Sequence, residues 1–178
     1  MNAEPQSGGG SIAAHTIGLA AELVAMVARS SRGSWPEAAG VAAQAVELAE
    51  RCPALARDDA RAWQAAVATL GSSVEDADGS RDAEFRDLLA SSAEVPVAIA
   101  ETGADVAVIA ALAAKLGEGR FRADAASAAI LAHAGTRVAL HLVMVNLGTR
   151  EGDECSRRAA AAEMRAGQAA AEALATAS

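Results

Sequence analysis

From Ser11 to about Ser30 the apolar residues Ile12, Leu19, Leu23, Met26 and Val27 recur at helical spacing. Gly8-Gly9-Gly10 precedes this run, and Ser11 is the expected N-cap. Ser30–Pro36 reads as a loop, with Pro36 in the first turn of the next helix. That helix runs to about Arg51. Cys52-Pro53 is expected to break or kink it, and a further helix continues to about Leu70. Residues 71–80, rich in Gly, Ser and Asp, read as a surface loop. A helix is expected from near Arg81, kinked or divided at Pro96 and ending about Leu116. After the break at Gly117–Arg120, residues 122–147 form the most apolar helix, which Gly148 ends. A last Ala, Glu and Arg helix covers about 153–176. No strand alternation and no fixed repeat emerges. The pattern predicts an all-α, single-domain bundle of long helices over 8–178, behind a disordered polar tail at 1–7.

Composition sharpens this. The 178 residues are 52% hydrophobic but only 2% aromatic, with alanine supplying most of the apolar share. Such a core suits close helix packing and disfavours a sheet, which draws on β-branched and aromatic residues. A net charge of −8 argues against nucleic-acid binding, which needs clustered Lys and Arg. Cys52 and Cys155 form neither a CxxC pair nor a disulfide framework, as expected of a cytoplasmic protein. No basic stretch leads into an apolar one near residue 1, so no secretory leader is expected. The best membrane candidates, 12–28 and 125–147, are interrupted by His15 and Glu22, and by His133, Arg137 and His141. Neither is expected to span a bilayer.

Candidate chemistry is sparse. Three glycines before a helix let backbone N–H groups approach a carboxylate or phosphate at the helix's positive end. The loop is neither GxGxxG nor GK[ST], and a plain linker into a capped helix also accounts for it. Asp124 lies in the first turn of the most apolar helix. The helix terminus favours its charged form, so it is a candidate base or cation-binding group; a plain helix-start Asp is the simpler account. His133, Arg137 and His141 form one stripe without zinc-ligand spacing, so no metal site is expected. Asn146 shares nearly the same face as Asp124, but 22 residues of helix is ~33 Å, so the two meet only across a dimer, if at all. Asp59 and Trp63 share a helical face, as do Glu101 and Asp105. Ordinary surface and core positions account for both pairs.

Several segments fall in the order of one family. They are the Gly-Gly-Gly-Ser loop, Ala25-Met26-Val27-Ala28, Asp59-Ala60-Arg61-Ala62-Trp63 and Glu94-Val95-Pro96-Val97. Then come Gly117, Ala123-Asp124, Ala128-Ala129 and Val145-Asn146-Leu147. Over about residues 6–153 the chain resembles the cyclodeaminase/cyclohydrolase family, the C-terminal domain of formimidoyltransferase-cyclodeaminase and its stand-alone bacterial relatives. The resemblance implies an all-helical cytoplasmic homodimer acting on a one-carbon unit of tetrahydrofolate. It would be a lyase that closes formimidoyltetrahydrofolate to methenyltetrahydrofolate and ammonia, or a hydrolase that opens the methenyl ring. No metal or redox cofactor and no membrane partner is implied. Asp124 would be catalytic. Gly8, Gly9, Gly10 and Ser11 would hold an anion, Arg120 and Arg122 would pair with a carboxylate such as the glutamate tail, and Asn146 would complete the binding set.

The chain also departs from the family pattern. Gln6-Ser7 stands where Thr-Pro is usual, Gly117–Asp124 lacks the usual two Asn and the Ser, the lysines after the first helix are missing, and Leu142 replaces an Asn. Two other readings follow from these losses. One is a divergent enzyme of C–N chemistry on a non-folate substrate in secondary metabolism. The other is a non-catalytic helical binding or assembly protein.

Overall fold

The computed structural model describes residues 8–71, 88, 90–148 and 153–177. Every regular element among them is helical: α1 (Gly9–Ser30), α2 (Ala38–Gly71), α3 (Glu94–Leu116), a 3₁₀ turn (Gly119–Phe121), α4 (Arg122–Leu147) and α5 (Glu154–Ala177). The start of the helix expected near Arg81 lies outside the described residues. The others match the sequence pattern closely, and α4 spans 122–147 as read from it.

α4 is the central element, packed by α1, α3 and α5, while α2 covers the far side of α1. The core is mainly alanine, and its largest fully buried side chains include Ile17, Ile99, Val24 and Val143. Small residues let the axes approach. Ile17 of α1 reaches between Gly103 of α3 and Gly135 of α4. A Cβ at Gly103 would lie 2.8 Å from Ile17 Cδ1, and one at Gly135 would lie 2.7 Å from Ile17 Cγ1. The hydroxyls at this crossing are absorbed locally: Thr136 donates to the Ala132 carbonyl at 2.9 Å and Thr102 to that of Ala98 at 2.7 Å.

One of the two helix-breaking prolines acts differently from expectation. α2 runs unbroken through Pro53. The ring lies on the exposed face of the helix, where water can satisfy the carbonyl one turn back that Pro53 cannot bond. Pro96 acts as expected: residues 88, 90 and 91 are helical, 92–93 form a turn, and α3 begins at Glu94 with Pro96 in its first turn, where no intrahelical donor is needed, so the two helical stretches are divided there. The cap of α1 also moves. Gly8 is the N-cap, and Ser11 lies inside the first turn.

α5 is tied down by charge. The Arg158 guanidinium grips Glu101 with two bonds, 2.9 and 3.1 Å, and Glu94 with two more, 2.9 and 3.1 Å. Arg165 pairs with Asp105 at 2.6 Å, so the Glu101–Asp105 pair faces α5. His133 Nε2 lies 3.1 Å from Glu163 of the same helix. Forked Arg–carboxylate pairs orient more than they stabilise at such exposure. Cys52 and Cys155 are both free thiols.

The sequence reading discounted two membrane candidates. By length and composition three helical stretches are long and apolar enough to cross a bilayer: Gly9–Ser30, Glu94–Leu116 and Gly119–Leu147. In the bundle, 61%, 72% and 39% of their apolar windows are buried against other helices.

Candidate active site

The glycine loop has an occupant from within the chain. Asp59, in the middle of α2, points its carboxylate at the start of α1. Oδ2 accepts the Ser11 backbone N–H at 2.9 Å, with the Ser11 hydroxyl oxygen 3.2 Å away. That hydroxyl also lies 2.9 Å from the Ala56 carbonyl. It has one proton to share between the two oxygens, the Ala56 contact being the shorter. The helix terminus, with its free N–H groups and positive end, is where a carboxylate belongs.

Asp59 also explains one of the glycines. A Cβ at Gly10 would lie 2.1 Å from Asp59 Oδ1, 2.4 Å from Cγ and 2.6 Å from Oδ2. At Gly8 and Gly9 the nearest atoms would be at an ordinary 3.8 Å. None of the three has a positive φ; among the described residues only Gly148 does. Space for the carboxylate, and not backbone conformation, is what Gly10 supplies.

A cleft of about 490 Å³ opens beside this pair. Gly8–Gly10 and Asp59 form one side with Ala62 and Trp63, one turn further along α2. Ser92 and Pro96 also line it, and α4 contributes His141, Leu142, Val145 and Asn146. Among the described residues no Lys or Arg lines it, so its fixed charge is that of Asp59. Asp59 Oδ1 accepts no hydrogen bond from the described residues. Such an arrangement can hold a cation, and can pass a proton to or from a ligand nitrogen or oxygen.

Burial raises the Asp59 carboxyl above its ordinary 3.8, and the hydrogen bonds from Ser11 pull it part of the way back. Above pH 3.8, up to the raised value, the folded protein keeps a proton that the unfolded chain has released. The stability linked to this group is therefore full at low pH and is lost as pH rises through that window. Asp59→Asn has no such titration, so it should gain stability relative to the unsubstituted protein as pH rises across it. Urea midpoints of the two proteins over a pH series check this; a difference that stays constant with pH contradicts it.

The residues singled out from sequence fall in two places. Gly8, Gly9, Gly10 and Asn146 meet at the cleft. Ser11 is buried behind it, bonded to Asp59 and Ala56. Asp124 is half-buried in the first turn of α4, ~33 Å along that helix from Asn146. Arg120 and Arg122 are exposed at the same far end. Arg120 pairs with Glu118 at 2.8 Å and lies 4.7 Å over the Phe121 ring. One chain therefore does not join the glycine loop to Asp124. The histidine stripe also divides: His133 turns to Glu163, and His141 lines the cleft. Asp59, Trp63 and His141 are the cleft residues that the sequence did not single out as functional. The available signals were the spacing of four between Asp59 and Trp63 and the place of Asp59–Trp63 among the segments that carry the family resemblance.

Comparison with known proteins agrees with this fold. A family model described as formiminotransferase-cyclodeaminase matches residues 1–166. A solved structure of formiminotetrahydrofolate cyclodeaminase from Thermotoga maritima superposes with a TM-score of 0.83 at 22% identity, covering 98% of this chain and 89% of that one. At that identity the likeness is one of fold. No curated protein matches the chain.

Proposed function

Because this chain belongs to the formiminotransferase-cyclodeaminase family, we propose that it acts on the C–N bonds of a one-carbon unit carried by tetrahydrofolate. In the cyclising direction, N10 of formimidoyltetrahydrofolate adds to the amidine carbon. The resulting tetrahedral carbon carries an NH₂ group. A proton moves from N10 to that nitrogen, ammonia leaves, and the methenyl bridge forms. In the hydrolytic direction, water adds to the methenyl carbon, loses a proton, and one C–N bond opens to the formyl product. Both routes need a group that takes and returns one proton beside a cationic carbon–nitrogen unit.

Asp59 is that group in this reading. The supporting observation is its carboxylate, held by the start of α1, with Oδ1 uncommitted in a cleft free of described cationic side chains. A raised carboxyl sits closer to the working pH, which suits proton transfer in both directions. His141 is a second proton carrier within the cleft, and the Asn146 carboxamide supplies a donor and an acceptor for a ring edge. No cofactor beyond the folate is invoked, and the setting is cytoplasmic.

Asp124, Arg120 and Arg122 enter through a homodimer. Ile12, Leu19 and Met26 on α1, and Leu131, Val138 and Val145 on α4, are exposed and spaced by sevens. They form two adjacent apolar seams, and seams of that period pair helices. An antiparallel pairing centred between Leu131 and Val138 brings Asp124 of the partner subunit level with Val145, at the cleft. The arginines there would then meet the carboxylates of the glutamate tail, for which the cleft itself has no cation among the described residues.

A second reading, the same C–N chemistry on a non-folate substrate, is favoured by Leu142 standing in the cleft wall. The purified protein separates the two. Formimidoyl cyclisation and methenyltetrahydrofolate hydrolysis are each followed by the absorbance of the methenyl chromophore, with sedimentation equilibrium on the same sample. Turnover of either folate by a dimer is expected. Absence of both activities removes the folate reading, and an active monomer removes the shared site.

A further inference from the structure

The proposed chemistry makes no use of Trp63. Trp63 is 50% exposed, although an indole has more apolar surface to hide than any other side chain; the other tryptophan, Trp35, is 3% exposed. Trp63 follows Asp59 by one helical turn, so both project from the same face of α2 into the same cleft. Across from them, Leu142 and Val145 of α4 present hydrocarbon. Among the described residues of its own chain, no Lys or Arg side chain lines the cleft beside Asp59. The nearby Arg61 is committed to Asp58 at 2.6 Å and is largely in solvent. His141 is the other ionisable side chain of the lining among the described residues.

We propose that Trp63 and Asp59 form a charge-selective slot that accepts a flat, cationic heterocycle and passes over its neutral counterpart. The indole face and the opposing hydrocarbon set the planarity. A ring stacked there places its positive charge within reach of both the π-face and the carboxylate, and each favours a cation over a neutral ring. The slot deepens the folate reading and rests on it for the natural ligand. The ring-closed methenyl form is a planar cation, whereas the formyl product is neutral and loses that planarity. Trp63 is then a specificity-determining residue that favours the methenyl form, and in the hydrolytic direction release of the neutral formyl product is made easy.

A matched pair of probes tests the slot without assuming a folate: N-methylquinolinium, a planar cation, and quinoline, its neutral analogue above pH 7. The chain has two tryptophans, so its ¹H–¹⁵N spectrum has two indole N–H signals, and Trp63→Phe assigns them by deletion. The cation is expected to bind about tenfold more tightly than quinoline, moving the Trp63 signal and leaving that of Trp35 in place. Trp63→Ala should weaken the cation about tenfold, and Trp63→Phe should restore most of the loss. Asp59→Asn should reduce the preference for the cation. Equal binding of the two probes, no shift of the Trp63 signal at millimolar probe, or unchanged affinity in Trp63→Ala would each overturn the slot. Cation selectivity in a protein that turns over no folate supports the slot while removing the folate reading. Folate turnover without cation selectivity removes the slot alone.

Discussion

Gly10→Ala should reduce turnover by a factor of about 100 or more while the bundle stays folded. The new methyl group would overlap the space that Asp59 fills, with its carbon 2.1 Å from Oδ1. The neighbour that must yield is a side chain, so the carboxylate swings away and α1 keeps its place. Displacing a proton-transfer group by an ångström commonly costs two orders of magnitude in rate. Alanine is also the better helix former, which offsets part of the lost Ser11–Asp59 bonding. Gly8→Ala and Gly9→Ala should behave differently, because a Cβ at either would meet its nearest neighbour at 3.8 Å. Specific activities of the three variants beside their circular dichroism spectra check this. Equal activity of Gly10→Ala and the unsubstituted protein would mean that the position of Asp59 does not matter.

The largest stability effects should come from the crossing of α1, α3 and α4. A Cβ at Gly103 would stand 2.3 Å from Thr136 Oγ1, and one at Gly135 would stand 3.1 Å from the Ala13 carbonyl as well as against Ile17. Overpacking a closed core costs about 1–3 kcal/mol. Replacing a helical glycine by alanine returns up to about 1 kcal/mol. The steric term wins at both sites, and Gly103→Ala and Gly135→Ala should each lose about 1–2 kcal/mol in urea unfolding. Gly40 is the control. It lies in α2 with nothing within 4 Å of its Cβ position, so Gly40→Ala should be neutral or gain up to about 1 kcal/mol. Ile17→Ala empties the space that Gly135→Ala needs. The double variant should be about 1 kcal/mol more stable than the two separate losses imply. Additive losses would mean that the three helices are not in contact through Ile17.

These glycines show why the fold was more legible than the site. Helical spacing and the breaks at Gly117–Arg120 and Gly148 are local signals. They located α4 to the residue, with Gly148 at a φ of 60° ending it. Pro53 misled because a proline's effect depends on which face its ring occupies, and spacing alone does not reveal that. Asp124 attracted attention through a local signal too, the helix dipole acting on a first-turn acid. Asp59 had no such signal. Its meaning comes from Ser11, 48 positions earlier, and from a methyl group that Gly10 lacks. The glycine loop reads as a place for a ligand's anion, and in the fold the Ser11 N–H beside it meets the carboxylate of Asp59. That the chain supplies a carboxylate itself, the basis of the proposed preference for cations, required the packing of α2 against α1.

The central claim is that proton transfer at a cationic C–N unit runs through Asp59. The most direct test is kcat for methenyltetrahydrofolate hydrolysis by the unsubstituted protein, Asp59→Asn and Asp124→Asn, measured side by side on folded dimers. The account predicts a loss of about 10²–10⁴ in kcat for Asp59→Asn, the range of a missing acid–base group, with a smaller loss for Asp124→Asn that falls mainly on KM. Undiminished kcat in Asp59→Asn, with the collapse in Asp124→Asn instead, would contradict it.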